Sequence, residues 1–343
     1  MEIIVPAAGL SSRFPGMKPK YLLYDYKHKM MLQRALADYD YEDCNITIGV
    51  LKEHDEKYYA SDFIKHEFGD KVNIVVLDKV TNGPADTVYQ ILQKSNIDNG
   101  QEFLIKDCDS FFNHDITQGN YVCVSDISEH EVLNKLASKS FIISNEQGII
   151  TNIIEKKVVS NKFCVGGYKF NSVGEYKNTF EKISTEKEIF VSDVISVMLQ
   201  NGVVFTEKLV TEYTDVGTSQ EWFKYNDRPV IFCDIDGTIV KSQSRVGVNT
   251  FEDEPIPLEN NVKRLLQLQE QGAQFIFTTA RKNQYFVQTD KMLWNLGFED
   301  FTLIMDLQNA KRILINDFNV ANPFPRAEAI NIERNSDTLN FYL

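Results

Sequence analysis

Late in the chain the stretch FCDIDGTIV, residues 232–240, places Asp234 and Asp236 one residue apart directly after an apolar run. Side chains alternate along an extended backbone, so these two carboxylates emerge on the same side. Such a pair suits nucleophilic attack, proton transfer and metal binding. The chain opens on a different device, IIVPAAGLSSRFPGMKPKYLL. The small residues Ala7, Ala8 and Gly9 let backbone N–H groups approach and cradle phosphate oxygens. Arg13, Lys18 and Lys20 follow. A guanidinium there can fork onto β- and γ-phosphate oxygens, and an ammonium can offset charge at an attacked α-phosphorus. Neither GxxxxGK[ST] nor GxGxxG is present. Both regions are equipped for phosphate, in two different ways.

Elements must hold these groups in place. Residues 2–8 read as a strand leading into the loop 9–20, and MLQRALADY as the first helix. NITIGVL (45–51) and VNIVVL (72–77) read as buried strands, with a helix over KYYASDFIKHEF between them. PADTVYQILQK enters a helix through Pro84, since proline suits a first helical turn. EFLIKDCDS is a strand ending in acids. KSFIIS, IITNIIEKKVVS and FCVGGYKF read as further strands, VSDVISVMLQNG as a helix, and GVVFTEKLVTEYTDVG as another strand. After the helix SQEWFKYN, the polar break DRP at 227–229 marks a boundary, giving domains 1–226 and 227–343. The pattern then restarts: strand 230–235, helix 259–271, strand 274–279, helix 284–296, strands 302–305 and 312–316. Alternation of this kind predicts an α/β protein of two domains, each a sheet with packed helices.

Composition narrows the function classes. At 343 residues, 43% hydrophobic and 25% charged, the chain is long enough for two cores. Its net charge of −13, with neither half basic, argues against nucleic acid as a partner. Five scattered cysteines without a CxxC pair predict neither zinc nor disulfides and point to a reducing, cytoplasmic setting. No apolar run is long enough to enter and cross a bilayer.

The opening string resembles the nucleotidyltransferases of the sugar-nucleotide pyrophosphorylase type. The matching residues are Ala8, Gly9, Ser11 or Ser12, Arg13, Pro19, Lys20 and Leu22, and the likeness covers roughly residues 1–225. It implies a GT-A/Rossmann-like fold that binds an NTP, with CTP favoured, and a sugar or polyol phosphate. Ala7, Ala8, Gly9, Arg13 and Lys20 would contact the triphosphate. TNGPADTV is similar to the base-recognition segment, implying Gly83, Pro84 and Ala85. IKDCDSFF is similar to the strand-end acid that holds Mg²⁺. Here two acids and a lysine stand where the family often has Gly-Asp-Asn, which leaves the role open between Asp107 and Asp109, with Asp109 favoured. IIEKK and CVGGYKF imply Glu155, Lys156 and Gly167 at the accepting phosphosugar, and YTDVGT implies Asp215 as the second metal ligand.

The strand followed by DxDGT resembles the haloacid dehalogenase-like phosphatases, over roughly residues 228–343. That likeness implies Asp234 as a nucleophile forming an aspartyl-phosphate and Asp236 as general acid and then base. FIFTTAR would supply Thr279, with Thr278 as the alternative, to hold the phosphoryl group. NAKRILIND would supply Lys311 or Arg312 as the cation, and Asp317 would join Asp234 and Asp236 at Mg²⁺. The gaps after Asp236 and Thr279 leave no room for a folded cap. A capless site must be covered by loops such as 241–257, with Lys241 and Arg245, by a second copy of the chain in a homo-oligomer, or by the other domain. Together the two likenesses imply a bifunctional enzyme making an activated sugar or polyol for a surface polysaccharide.

Overall fold

Strand β1 (Glu2–Pro6) sends Ile3 and Val5 into one apolar cluster and Ile4 into another. That alternation makes β1 the centre of a sheet covered on both faces, so its residues read as a continuous apolar run. The structure, a computed structural model, describes residues 1–39, 44–129, 136–183, 187–242, 254–317 and 327–343. It divides into two compact units, Met1–Asn226 and Asp227–Leu343. Among the described residues no helix is long and apolar enough to cross a membrane.

In the first unit β1 is followed by α1 (Met31–Ala35), β2 (Asn45–Leu51), α2 (Lys52–Tyr58), α3 (Ala60–Phe68), β3 (Val72–Leu77), α4 (Pro84–Lys94) and β4 (Phe103–Lys106). Then come β5 (Ser110–Asn113), β6 (Asn120–Asp126), β7 (Phe141–Ser144), β8 (Ile150–Ile154) and β9 (Lys162–Phe170). The unit closes with α5 (Val173–Phe180), α6 (Val191–Gln200), β10 (Phe205–Leu209), β11 (Thr211–Asp215) and α7 (Ser219–Asn226). The main sheet runs β10-β6-β9-β4-β1-β2-β3, with β7 and β8 joined through β9. Its β3-β2-β1-β4 half is parallel, whereas β9 is antiparallel to both β4 and β6. Separately, β5 pairs antiparallel with β11, which puts Asp215 opposite Ser110.

The second unit holds β12 (Val230–Asp234), α8 (Glu259–Glu270), β13 (Gln274–Thr278), α9 (Phe286–Asn295) and β14 (Thr302–Ile304), the strands parallel in that order. Its core is aromatic. Phe277 meets Phe298 edge-on at 4.8 Å and Phe301 at 5.6 Å, each such pair adding about 0.5–1.5 kcal/mol beyond burial. Asn261, fully buried, donates to the carbonyls of Thr238 and Ser336 and accepts from Leu339 N–H. It thereby ties the turn after Asp236 to the C-terminal tail.

Several elements differ from the sequence expectation, among them β5 and α5, which it does not contain. The helix expected over 57–68 is two helices, because Tyr59 turns left-handed (φ 53°) while the Asp55 side chain accepts from Ser61 N–H. The single strand over 202–217 is β10 and β11, which belong to different sheets. Strand β6, between β9 and β10, went unrecognised. Residues 312–316 contribute no strand: the stretch 311–317 is exposed throughout, with Ile315 at 90%. An apolar run becomes a strand only by pairing, and the described sheet consists of β12, β13 and β14. The loop 241–257 lies largely outside the described residues, Arg245 included.

Gly83 begins α4 at φ 102°, and a Cβ there would meet the Ile189 backbone oxygen at 2.5 Å. Backbone cannot rotate aside. Gly83→Ala should therefore cost at least about 2 kcal/mol, seen as a melting temperature lower by roughly 4–8 °C. An unchanged melt would show that this loop relaxes freely.

Candidate active sites

Three contacts shape the opening loop. Ala7 N–H returns to the Val5 carbonyl at 3.0 Å, and Ser11 Oγ accepts from Lys20 N–H at 3.1 Å, closing the loop across its mouth. Phe14, buried with Met31, Val216 and Trp222, anchors its middle. Ala7 and Ala8 are buried, while Gly9 is exposed. Held this way, Lys20 places its ammonium 2.5 Å from Asp109 Oδ2, and Arg13 reaches the same oxygen at 3.4 Å with its side chain still 60% exposed.

The β5–β11 pairing brings in the second acid. Val216 N–H donates to the Asp109 carbonyl at 3.0 Å, and Gly217 N–H donates to Asp215 Oδ1 at 2.9 Å. A Cβ on Gly217 would lie 3.0 Å from both Asp109 Oδ2 and Asp215 Oδ1 and 3.3 Å from Arg13 Nη1. Asp109, Asp215 and Arg13 therefore surround one small space. Asp107 is placed differently, against Gly166, where a Cβ would come within 2.5 Å of its Oδ2. Of the two strand-end acids, Asp109 is the one that faces Asp215 and the loop cations.

Charge and burial compete across this cluster. Burial pushes the Asp107 carboxyl up to about 6, with Asp109 adding to the effect. At Asp109 burial also pushes upward, but Lys20, Arg13 and Lys139 outweigh it and hold the carboxyl well below the usual range. Lys106 is fully buried, and burial brings its ammonium down to about 8. It donates to the carbonyls of Asp107 (3.0 Å) and Ser110 (2.5 Å), stapling the turn that carries both acids.

The remaining expected residues lie around this centre in varied roles. Gly83, Pro84 and Ala85 start α4, with Ala85 N–H on the Ile189 carbonyl at 3.1 Å. Glu155 accepts from Ser192 Oγ at 2.7 Å and from Ser140 Oγ. Lys156 sets its ammonium 4.1 Å from the Phe190 ring centroid. Gly167 leaves room for Cys123 and Phe112, both 2.8 Å from where its Cβ would sit. Its smallness therefore serves sheet packing. Lys139 was not anticipated: its ammonium lies 2.5 Å from Asp215 Oδ2. A lone lysine at the head of KSFIIS carries no sequence signal.

In the second unit Asp234 ends β12 opposite Thr278 in β13. Burial pushes its carboxyl upward and Asp236 adds to this, while the Arg312 charge pulls it down. Of the two expected cations, Arg312 is thus the one whose charge reaches Asp234. Lys311 is exposed. Asp236 is gripped by a residue not anticipated, Arg281, through Nη2 to Oδ1 at 2.7 Å and Nε to Oδ2 at 3.0 Å. Thr279 Oγ1 also donates to Asp236 Oδ2 at 3.1 Å and accepts from Arg281 N–H at 3.1 Å. The Arg281 side chain is buried, with Nη1 on Thr289 Oγ1 at 3.2 Å. The run TTAR contained this signal, but only its threonines were read.

Gly237 takes φ 97° directly after Asp236 and donates to the Val240 carbonyl at 2.7 Å, closing the turn. Asp317 stands at the end of the exposed stretch 311–317, because the strand expected to carry it does not form. Among the described residues no group of three or more His, Cys, Asp or Glu is gathered for a metal. The pairs Asp109/Asp215 and Asp234/Asp236 supply carboxylate oxygens alone. That donor set fits Mg²⁺, which is commonly held by one or two carboxylates with substrate phosphates completing its shell.

Comparison with known proteins agrees with the two-part architecture. Residues 231–316 match the family of haloacid dehalogenase-like hydrolases. The N-terminal part has the fold of sugar-nucleotide pyrophosphorylases and related nucleotidyltransferases. A nucleoside-diphosphate-sugar pyrophosphorylase from Vibrio cholerae RC9 superposes with TM-score 0.56 at 19% identity, over 65% of this chain and 98% of that one. The inositol-1-phosphate CTP transferase from T. maritima gives 0.54 at 16%, over 64% and 90%. No curated protein sequence matches the chain.

Two substitutions probe these sites. Gly217→Ala should fill the space between Asp109 and Asp215, and Mn²⁺ binding at the N-terminal acids should weaken by about tenfold or more, read by electron paramagnetic resonance. Arg281→Met removes charge-assisted bonds of about 1.5–3 kcal/mol. Hydrolysis of a phosphate monoester such as p-nitrophenyl phosphate should then fall at least about tenfold. Wild-type behaviour in either variant would take that residue out of its site.

Proposed function

We propose that the chain is a bifunctional, Mg²⁺-dependent enzyme. Its N-terminal unit transfers a nucleotidyl group from an NTP, CTP in our reading, to a sugar or polyol phosphate, releasing pyrophosphate. Its C-terminal unit hydrolyses a phosphate monoester of the same route, whose end is an activated precursor for a capsular or other surface polysaccharide. The observation that carries the reading is the meeting of Asp109, Asp215 and Arg13 around Gly217, with Lys20 on Asp109. The fold likeness to nucleotidyltransferases and the match to haloacid dehalogenase-like hydrolases support it. A degenerate N-terminal module that only regulates the hydrolase would need no such cluster.

In the first reaction an oxygen of the acceptor phosphate attacks the α-phosphorus and pyrophosphate leaves. Asp109 and Asp215 would hold Mg²⁺, which would neutralise triphosphate charge and favour in-line attack. The exposed Arg13 guanidinium is placed to swing onto the leaving phosphates, and Lys20 stays by the reacting centre. In the second reaction Asp234 attacks phosphorus, and the leaving alcohol takes its proton from Asp236. Water then attacks the aspartyl-phosphate, giving a proton back to Asp236 and freeing Asp234 and phosphate. Arg281 and Thr279 keep Asp236 on the correct side for both transfers.

The two activities should separate by mutation. Asp234→Asn abolishes phosphate release and leaves pyrophosphate release near wild type, because an amide cannot act as this nucleophile. Arg13→Ala and Lys20→Ala lower kcat/KM for pyrophosphate release by at least about tenfold and leave phosphate release unchanged. Four NTPs assayed against a panel of sugar and polyol phosphates, following both products, would name the substrates. No pyrophosphate with any combination would sink the transferase reading, and joint loss of both activities in folded Asp234→Asn would sink the two-site reading.

A further inference from the structure

We propose that Lys139 is an internal counter-cation of the N-terminal acid cluster, one that occupies Asp215 until a divalent cation displaces it and that thereby sets the affinity for that cation. The inference rests on reading Asp109 and Asp215 as the metal-holding pair. Lys139 Nζ lies 2.5 Å from Asp215 Oδ2, and the two side chains are only 24% and 23% exposed. A pair so withdrawn from water is weakly screened, unlike a surface ion pair.

The position of Lys139 is fixed by its backbone. Its N–H donates to the Leu136 carbonyl at 3.0 Å, and its carbonyl accepts from Lys156 N–H at 3.0 Å. Lys20 already serves Asp109, so each acid has its own ammonium within 2.5 Å. Asp107, Asp109 and Asp215, three half-buried acids, repel one another, and the Lys139 ammonium relieves that repulsion. A divalent cation arriving at Asp215 meets a positive charge already seated there. It must push the ammonium aside, and its affinity is reduced by the strength of the pair that it breaks.

The test uses the full-length chain carrying Asp234→Asn, to weaken the C-terminal acid pair as a competing site, and titrates Mn²⁺ alone by electron paramagnetic resonance. Lys139→Met and Lys139→Gln should each bind Mn²⁺ at least about tenfold more tightly than the parent, with Lys139→Arg close to the parent. Two neutral variants are used so that one failing to fold, judged by circular dichroism, leaves the other to decide. Unchanged or weaker Mn²⁺ binding in the folded neutral variants, with Asp215→Asn still removing that binding, would overturn the counter-cation role and leave the metal-site reading standing. Mn²⁺ binding that survives Asp215→Asn would overturn both.

Discussion

The short antiparallel pairing of β5 with β11 is the contact on which the N-terminal centre depends. It joins the turn after β4 to a segment near the unit's end, and it brings two like charges, Asp109 and Asp215, to opposite sides of Gly217. Such proximity is unfavourable by itself, since carboxylates sharing a poorly solvated space repel. The surrounding structure answers with three cations delivered from two separate places: Arg13 and Lys20 from the opening loop, and Lys139 from the residues before β7. Lys106 holds the turn beneath them by its carbonyls. The loop, the turn and the strand pair are therefore one electrostatic unit, assembled by a sheet that brings distant segments together.

The second unit meets the same constraint with a simpler device. Asp234 and Asp236 are neighbours by sequence, so no long-range pairing is needed to unite them. What must be controlled is their difference, because in the proposed reaction one attacks and the other carries protons. Arg281 and Thr279 grip Asp236 alone, whereas Asp234 has Arg312 only through space. The turn at Gly237 and the knot at Asn261 keep the strand end from moving. Two chemically identical side chains are thus given unequal surroundings, which is how paired carboxylates acquire separate roles.

How far the sequence discloses all this follows from what kind of signal each part emits. β2, β3 and α4 have the bounds that their apolar periodicity implies, because periodicity is a local property. The acids at 109, 215, 234 and 236 were legible because each sits in a patterned string after a strand. Residues 312–316 show the limit of that method, since their apolar character suits a strand while the described sheet offers them no pairing. β6 was overlooked because a buried strand between two others has no polar alternation to mark it. Lys139 and Arg281 act by reaching an acid from a distant or unremarked position, and single cations of that kind are visible only once the chain is folded.

The pairing of chemistries proposed for the two units would impose a demand on the chain. Nucleotidyl transfer uses a phosphate monoester as its nucleophile, and an aspartyl-phosphate phosphatase destroys phosphate monoesters. One chain bearing both would waste its own acceptor unless the phosphatase rejects it. Recognition of the phosphate cannot supply that discrimination, since the same group is present in both substrates. It must come from the organic part, through contacts beyond Asp234, Asp236 and Thr279. Once transfer has occurred the acceptor phosphate lies in a diphosphate bridge, which is no longer a monoester and is therefore outside the hydrolytic chemistry of Asp234. In the proposed scheme, transfer at the N-terminal centre would remove the acceptor from the phosphatase's reach, so the charge balance around Asp215 would bear on both reactions.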